Sequence, residues 1–178
     1  MTAADDWELR IAELWAKFDE VEPAEFVRRI DTLAAERPDG DGAALFERAS
    51  ARDSTGVEGE AEGLYRAALA TEQLDPLRYS RTILQLASTL RILGRLDESQ
   101  ALAEEALARS LREPDTYQLA DETRATLALT YVAQGRAAEA AGHALIALAP
   151  HLSRYQRSVR GNAMELIEHG AFLPWDGE

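Results

Sequence analysis

The residues best suited to chemistry are four arginines that stand close together without an acidic neighbour. Between Pro76 and Leu96 there is no aspartate or glutamate, and the basic residues are Arg78, Arg81, Arg91 and Arg95. Arg81 and Arg91 share one face of a helix, because steps of three and four residues return to the same side. A guanidinium is a forked donor that fits a carboxylate. The pattern predicts a site for an acidic group.

These arginines could instead serve the fold. Arg91 could pair with Asp53 of the preceding predicted helix, and such a pair would satisfy a partly buried guanidinium. A second basic cluster near the C-terminus has the same two interpretations, and it consists of Arg154, Arg157 and Arg160. The choice between ligand binding and internal pairing stays open at both clusters.

Little else in the sequence favours catalysis or metal binding. Cysteine is absent, which excludes disulfides, thiolate zinc sites and cysteine nucleophiles. His143 and His151 have no metal-ligand spacing, and Glu165 with His169 would give only two ligands. The serine in "DSTG" (53–56) is better explained as a helix end before a glycine turn. We therefore predict that the chain is not an enzyme and has no catalytic residues, metal site or cofactor.

The composition favours one acidic, water-exposed domain over residues 1–178. The chain is 46% hydrophobic and carries a net charge of -13. Such a charge repels nucleic acid and anionic membranes, so neither is expected as a partner. No apolar run approaches the roughly 18 residues that span a bilayer. The acidic N-terminus does not resemble a signal peptide, and a cytoplasmic location is expected.

Three segments of the sequence repeat one pattern, and they begin at Gly56, Gly94 and Gly135. Glutamate follows each glycine after four residues, a small residue follows after five, and Ala-Leu-Ala begins after twelve. The period is roughly 40 residues, which is typical of solenoid proteins. Because glycine readily adopts the left-handed conformation that ends a helix, each unit is predicted to be a helix, a glycine turn and a second helix.

This pattern resembles the tetratricopeptide repeat. The second unit carries it in Leu86, Ala87, Leu90, Gly94, Ser99 and Ala106, and the third in Leu127, Ala128, Tyr131, Gly135, Ala140 and Ala147. The stretches "DSTGVEGEAEGLYRAAL", "QLASTLRILGRLDES" and "LSRYQRSVRGNA" resemble a bacterial subgroup, the group-5 tetratricopeptide repeat proteins. The resemblance extends over roughly residues 23–169.

The resemblance implies an all-α, right-handed superhelical solenoid of antiparallel helix pairs, with about nine helices. We expect a helix pair at 1–38, three repeat units at 42–150, a capping helix at 151–170 and a tail at 171–178. Trp175 in the tail is expected to dock onto the body of the chain, because a free tail gains nothing from an exposed indole.

The resemblance also implies a concave groove along the first helices of the units, where a protein or peptide, possibly with acidic residues, would bind. The predicted groove residues are Phe46, Ser50, Asp53, Arg81, Leu84, Ser88, Arg91, Glu122 and Leu129. The predicted function is a protein–protein interaction module. Two alternatives remain: a self-assembling homodimer, and a regulatory domain that senses a small acidic ligand at an arginine cluster.

Overall fold

A computed structural model describes residues 3–172 of the chain, with side chains from residue 6 onward. Within this part the chain forms nine α-helices and no strand, which confirms the all-α prediction. Its contacts divide it into two compact units, Met1–Thr89 and Leu90–Glu178. The single domain and the right-handed superhelix remain predictions, as does the docking of Trp175, which lies outside the described residues.

Unit 1 contains four complete helices and most of a fifth. They are α1 (Ala3–Trp15), α2 (Pro23–Ala34), α3 (Gly42–Ser54), α4 (Glu58–Ala70) and α5 (Pro76–Ile92), of which α5 continues past Thr89. Helix α2 starts with Pro23 because proline needs no hydrogen-bond acceptor there, and the Glu22 side chain accepts from the Ala24 N–H at 3.0 Å. Helices α1 and α2 form the expected N-terminal pair.

The core of unit 1 lies where α1, α2 and α3 meet. Its buried members are Trp7, Ile11, Phe26, Ile30, Ala34, Ala44 and Ala51. The indole of Trp7 is 2% exposed, and its Nε1 donates to the Leu33 carbonyl at 2.8 Å. This bond satisfies the only polar group of a large buried side chain, so α1 is fixed to α2.

Unit 2 contains the end of α5 and four further helices. They are α6 (Leu96–Arg112), α7 (Ala120–Ala133), α8 (Ala137–Leu148) and α9 (Gln156–His169), with short 3-10 helices at Pro114–Leu119 and Ala149–His151. The capping helix, expected at 151–170, occupies Gln156–His169. Tyr155 has a φ of 64°, which interrupts the helix, and the Gln156 side chain instead donates to the carbonyls of Pro150 and Leu152.

The three glycine turns are copies of one structure. Gly56, Gly94 and Gly135 have φ values of 80°, 78° and 79°, which confirms the predicted left-handed conformation. The N–H of Gly135 donates to the Val132 carbonyl at 3.0 Å, and the next N–H, of Arg136, donates to the Tyr131 carbonyl at 2.8 Å. The same two bonds recur at the other turns, so each turn ends its first helix in the same way.

Helices α8 and α9 approach most closely at Gly142. A Cβ atom there would lie 2.6 Å from Cγ1 of Ile167 and 2.7 Å from the carbonyl oxygen of Ala163. Glycine is therefore required for this contact, and the contact fixes α9 on α8. Within residues 3–172, every helix is too short or too polar to span a bilayer.

Candidate binding groove

The first helices of the pairs in unit 1, α1, α3 and α5, form an open groove of about 380 Å³. Its lining residues are Glu8, Ile11, Ala12 and Trp15 of α1, Phe46, Glu47 and Ser50 of α3, and Arg78, Arg81 and Gln85 of α5. Three of the predicted groove residues, Phe46, Ser50 and Arg81, are among them. The floor is apolar and the α5 side is basic.

A buried carboxylate, that of Glu47, lies at the centre of the groove wall. Glu47 is 5% exposed, because it lies on the α3 face that carries the buried Ala44 and Ala51. Its Oε2 accepts from the Trp15 indole N–H at 2.8 Å, and its Oε1 lies 3.5 Å from a guanidinium nitrogen of Arg78. Burial raises the pKa of Glu47 above its ordinary value, although these two partners favour the charged form.

Arg78 connects the three helices that form the groove. Its guanidinium donates to both carboxylate oxygens of Glu8 on α1, at 3.1 and 2.7 Å. It also lies over the ring of Phe46 on α3, 5.7 Å from the ring centre. Glu8, Glu47 and Asp75 all pair with this guanidinium, so Arg78 serves the structure of the groove.

Arg81, one turn further along α5, is in a different situation. Its side chain is exposed, and it makes no hydrogen bond or ion pair with any residue in the described range 3–172. Its guanidinium is the one in the groove lining that has no ion pair among the described residues. Arg81 can therefore bind an anionic group without breaking a contact within the described chain.

Two predicted groove residues, Ser50 and Asp53, belong to a polar network beneath the groove. The hydroxyl of Tyr65 lies 3.3 Å from Oγ of Ser50 and 3.4 Å from Oδ2 of Asp53. Thr89 donates its hydroxyl to Oδ1 of Asp53 at 2.9 Å. Burial, reinforced by the charge of Asp53, raises the pKa of Tyr65 far above its ordinary value. Asp53 is therefore occupied in holding α3, α4 and α5 together.

The other predicted groove residues have different surroundings. Leu84 is 8% exposed and belongs to the packed interior, because α5 is buried over most of its circumference. Ser88 is half-buried. Arg91, Glu122 and Leu129 belong to unit 2, where Arg91 is half-buried and the other two are exposed. Their participation in one groove, and the pairing of Arg91 with Asp53, remain predictions.

Three residues of the groove, Glu8, Trp15 and Glu47, are not among the predicted site residues. Glu47 stands three residues after Ala44 and four before Ala51, and this spacing places a carboxylate on an apolar face. The contact between Glu8 and Arg78 joins residues 70 positions apart, and no local pattern indicates it.

The histidines show no metal-site geometry. His143 is 7% exposed, as expected for a packed helix position, and burial lowers its pKa to about 4. Nε2 of His151 lies 3.0 Å from Oδ2 of Asp121. Among the described residues, no group of three histidine, aspartate or glutamate side chains is arranged to hold a metal ion.

Comparison with known proteins places the repeats in a family. A family model described as "Tetratrico peptide repeat", the fifth of its group, matches residues 42–166. The match begins at the first residue of α3 and ends within α9, so α1 and α2 lie outside it. Neither the curated proteins nor the solved structures gave a match. With its three matching glycine turns between helices and this match over most of its length, the chain belongs to the group-5 tetratricopeptide repeat family.

Proposed function

We propose that the chain is a protein–protein interaction module, without catalysis of its own, that holds an acidic segment of a partner in the groove of unit 1. Tetratricopeptide repeats generally mediate protein–protein interactions and are generally not catalytic, which supports the binding role. The observation that carries the proposal is Arg81, an exposed guanidinium with no partner among residues 3–172, beside an apolar floor.

The charges of the groove favour a single carboxylate as the ligand group. Arg78 is already paired with Glu8 and Glu47, so Arg81 is the guanidinium of the groove that has no ion pair among the described residues. A carboxylate can accept two parallel hydrogen bonds from this guanidinium. A doubly charged group would bring a second negative charge towards Glu8 and Glu47, which costs energy.

The apolar floor adds a second requirement. Trp15 and Phe46 line the groove beside Arg81, and aromatic side chains in a partly desolvated pocket are typical anchors for a partner. The preferred segment therefore carries an aspartate or glutamate next to an apolar side chain. The arginine would supply specificity and the apolar contact most of the affinity.

Selection of peptides from a displayed random library tests this proposal. We expect the wild-type chain to enrich peptides with an acidic residue beside an apolar one, and Arg81→Glu to lose them. Arg28→Glu is the matched control, because Arg28 is an exposed arginine of α2, with a 67% exposed side chain, away from the groove. The proposal is wrong if Arg81→Glu selects the same peptides as the wild type.

A further inference from the structure

The charged side chains that line the groove of unit 1 balance one another. Two are acidic, Glu8 and Glu47, and two are basic, Arg78 and Arg81. A groove without net charge binds an anionic group only through local contacts, whereas an excess of positive charge would attract it as a whole. The loss of one acidic charge from the lining would therefore change which ligands the groove can bind.

The two acidic residues differ in their exposure to water. Glu47 is buried in the groove wall, whereas the side chain of Glu8 is 47% exposed. Water screens the charge of an exposed carboxylate and reaches little of a buried one, so a buried charge acts more strongly on its neighbours. Glu47 is therefore the acid whose charge has the greater influence on the groove.

The two oxygens of the Glu47 carboxylate are unequally compensated. Oε2 accepts a hydrogen bond of 2.8 Å from the Trp15 indole, whereas Oε1 has the 3.5 Å contact with Arg78, which forms shorter bonds with Glu8. The titratable and charged groups that face Glu47 are Glu8 on α1, Tyr65 on α4 and Arg78 on α5. Burial outweighs the favourable partners and raises the pKa of Glu47.

Arg78 lies where its guanidinium can reach a ligand. It is 5.7 Å from the ring centre of Phe46, which lines the groove, and it precedes Arg81 by three residues on α5. Residues three apart on a helix are neighbours, so the two guanidinium groups border the same part of the groove. The contact with Glu47 turns part of the Arg78 guanidinium towards the groove wall.

We infer that Glu47 is the specificity-determining residue of the groove, because its carboxylate engages Arg78 and thereby limits the ligand to one acidic group. With Glu47 neutral, Arg78 can donate to the ligand beside Arg81, and the groove accepts two neighbouring acidic groups. The proton of a neutral Glu47 would lie on Oε1, since Oε2 accepts from Trp15. This inference rests on the function proposed above and adds to it the charge of the ligand.

The role of Glu47 gives the groove a pH dependence of defined sign. Because its pKa is raised, Glu47 takes up a proton at a higher pH than an ordinary glutamate does. The lining then carries one more positive charge, so an anion of fixed charge binds more tightly at acid pH. By linkage, the binding of that anion is accompanied by the uptake of a proton. No histidine is among the described lining residues of the groove.

Calorimetric titration of the full chain with two peptides of fixed charge tests the inference. One is acetyl-phenylalanyl-cysteate amide, which carries one sulfonate, and the other has a second cysteate after the first. At pH 7 the wild type should bind the singly charged peptide at least as tightly as the doubly charged one. Glu47→Gln should prefer the doubly charged peptide about tenfold. Glu13→Gln is the matched control, an exposed acid of α1 outside the groove, and should behave as the wild type.

A pH series on the wild type keeps the inference testable even if Glu47→Gln folds poorly. Between pH 8 and pH 5 the affinity for the singly charged peptide should rise about fivefold. Titrations in two buffers of different ionisation enthalpy should show proton uptake on binding. Glu8→Gln should retain the rise, because Glu47 is still present. A rise that disappears in Glu8→Gln would assign the effect to Glu8 and overturn the inference.

Arg81→Glu distinguishes failure of this inference from failure of the proposed function. If Arg81→Glu weakens binding but the wild-type affinity is constant from pH 8 to pH 5, the role of Glu47 is wrong and the proposed function stands. Unchanged peptide preference in Glu47→Gln has the same meaning. If the wild type binds neither peptide, or Arg81→Glu binds both as the wild type does, the proposed function is wrong and this inference with it.

Discussion

The first and third repeats start from the same hairpin and differ in what surrounds it. Seven residues after the turn glycine stands Gly63 in α4 and Gly142 in α8. A Cβ atom at Gly63 would meet no atom within 4 Å, whereas one at Gly142 would meet Ile167 and the backbone of Ala163. The same residue in the same register is dispensable in one unit and obligatory in the other, because α9 packs against α8 there.

The groove-facing side of the first helix shows the same contrast. Phe46, Ser50 and Asp53 of α3 correspond to Ala125, Leu129 and Val132 of α7. Phe46 and Ser50 are 8% and 5% exposed, whereas Leu129 and Val132 are 53% and 61% exposed. In unit 1 the side chains of α1 and α5 cover this face. The repeat pattern thus determines the buried side of the hairpin and leaves the other side free to diverge.

The largest effect is expected when the two equivalent glycines, Gly142 and Gly63, are each replaced by alanine. Gly142→Ala should lower the free energy of unfolding by about 3 kcal/mol, because its methyl group meets backbone that cannot move aside. Gly63→Ala should raise it by roughly 0.5–1 kcal/mol through helix propensity alone. Denaturant unfolding of both variants checks this. Equal effects of the two substitutions would mean that α9 does not lie close to α8.

The second test concerns pH and His143, which corresponds to Leu64 of the first repeat. The imidazole titrates at about 4 in the folded chain and at about 6.5 when unfolded. As the pH falls from about 6.5 to about 4, the unfolded chain takes up this proton first, and the folded state loses about 3 kcal/mol of stability.

His143→Leu should not show this loss of stability at acid pH. Urea unfolding at a series of pH values measures it. The carboxylates titrate alike in both proteins, so the difference between the two pH profiles isolates the imidazole. Parallel profiles from pH 7 to pH 4 would refute the assignment of a depressed pKa to His143.

The third test asks whether the turns are equivalent. Gly56→Ala and Gly135→Ala should each cost about 1 kcal/mol, because both φ values are close to 80° and both sites are open. The side chains around the turns differ, since Arg136 follows one glycine and Val57 the other. If the melting temperatures of the two variants differ by more than experimental error, these side chains, and not the backbone, determine the loss of stability.

The smallest effect is expected on the open face of α7. Leu129→Ser copies Ser50 of the first repeat, and because Leu129 is 53% exposed the free energy of unfolding should change by less than about 0.5 kcal/mol. Calorimetry of the variant checks this. A clear loss of stability would mean that a further part of the chain covers this face.

Sequence reasoning succeeded where local chemistry decides the structure. The turn glycines are predicted correctly because a φ angle depends on near neighbours in the chain. The groove was harder to predict. The sequence leaves open whether Arg81 binds a ligand or pairs internally. It predicts Asp53 and Leu84 on the open groove, whereas their contacts come from distant helices. The contact of Glu8 with Arg78 depends on how α1 packs, which no repeat pattern encodes.

The hydrogen bond from Trp15 to Glu47 makes the groove accessible to optical measurement. Trp15 lines the groove, whereas the indole of Trp7 is buried in the core and donates to a backbone carbonyl. Indole emission shifts in wavelength with the polarity around the ring and with the charge near its nitrogen. A ligand that enters the groove would change the light emitted by one of these two tryptophans and not by the other, so the chain carries its own reporter of occupancy.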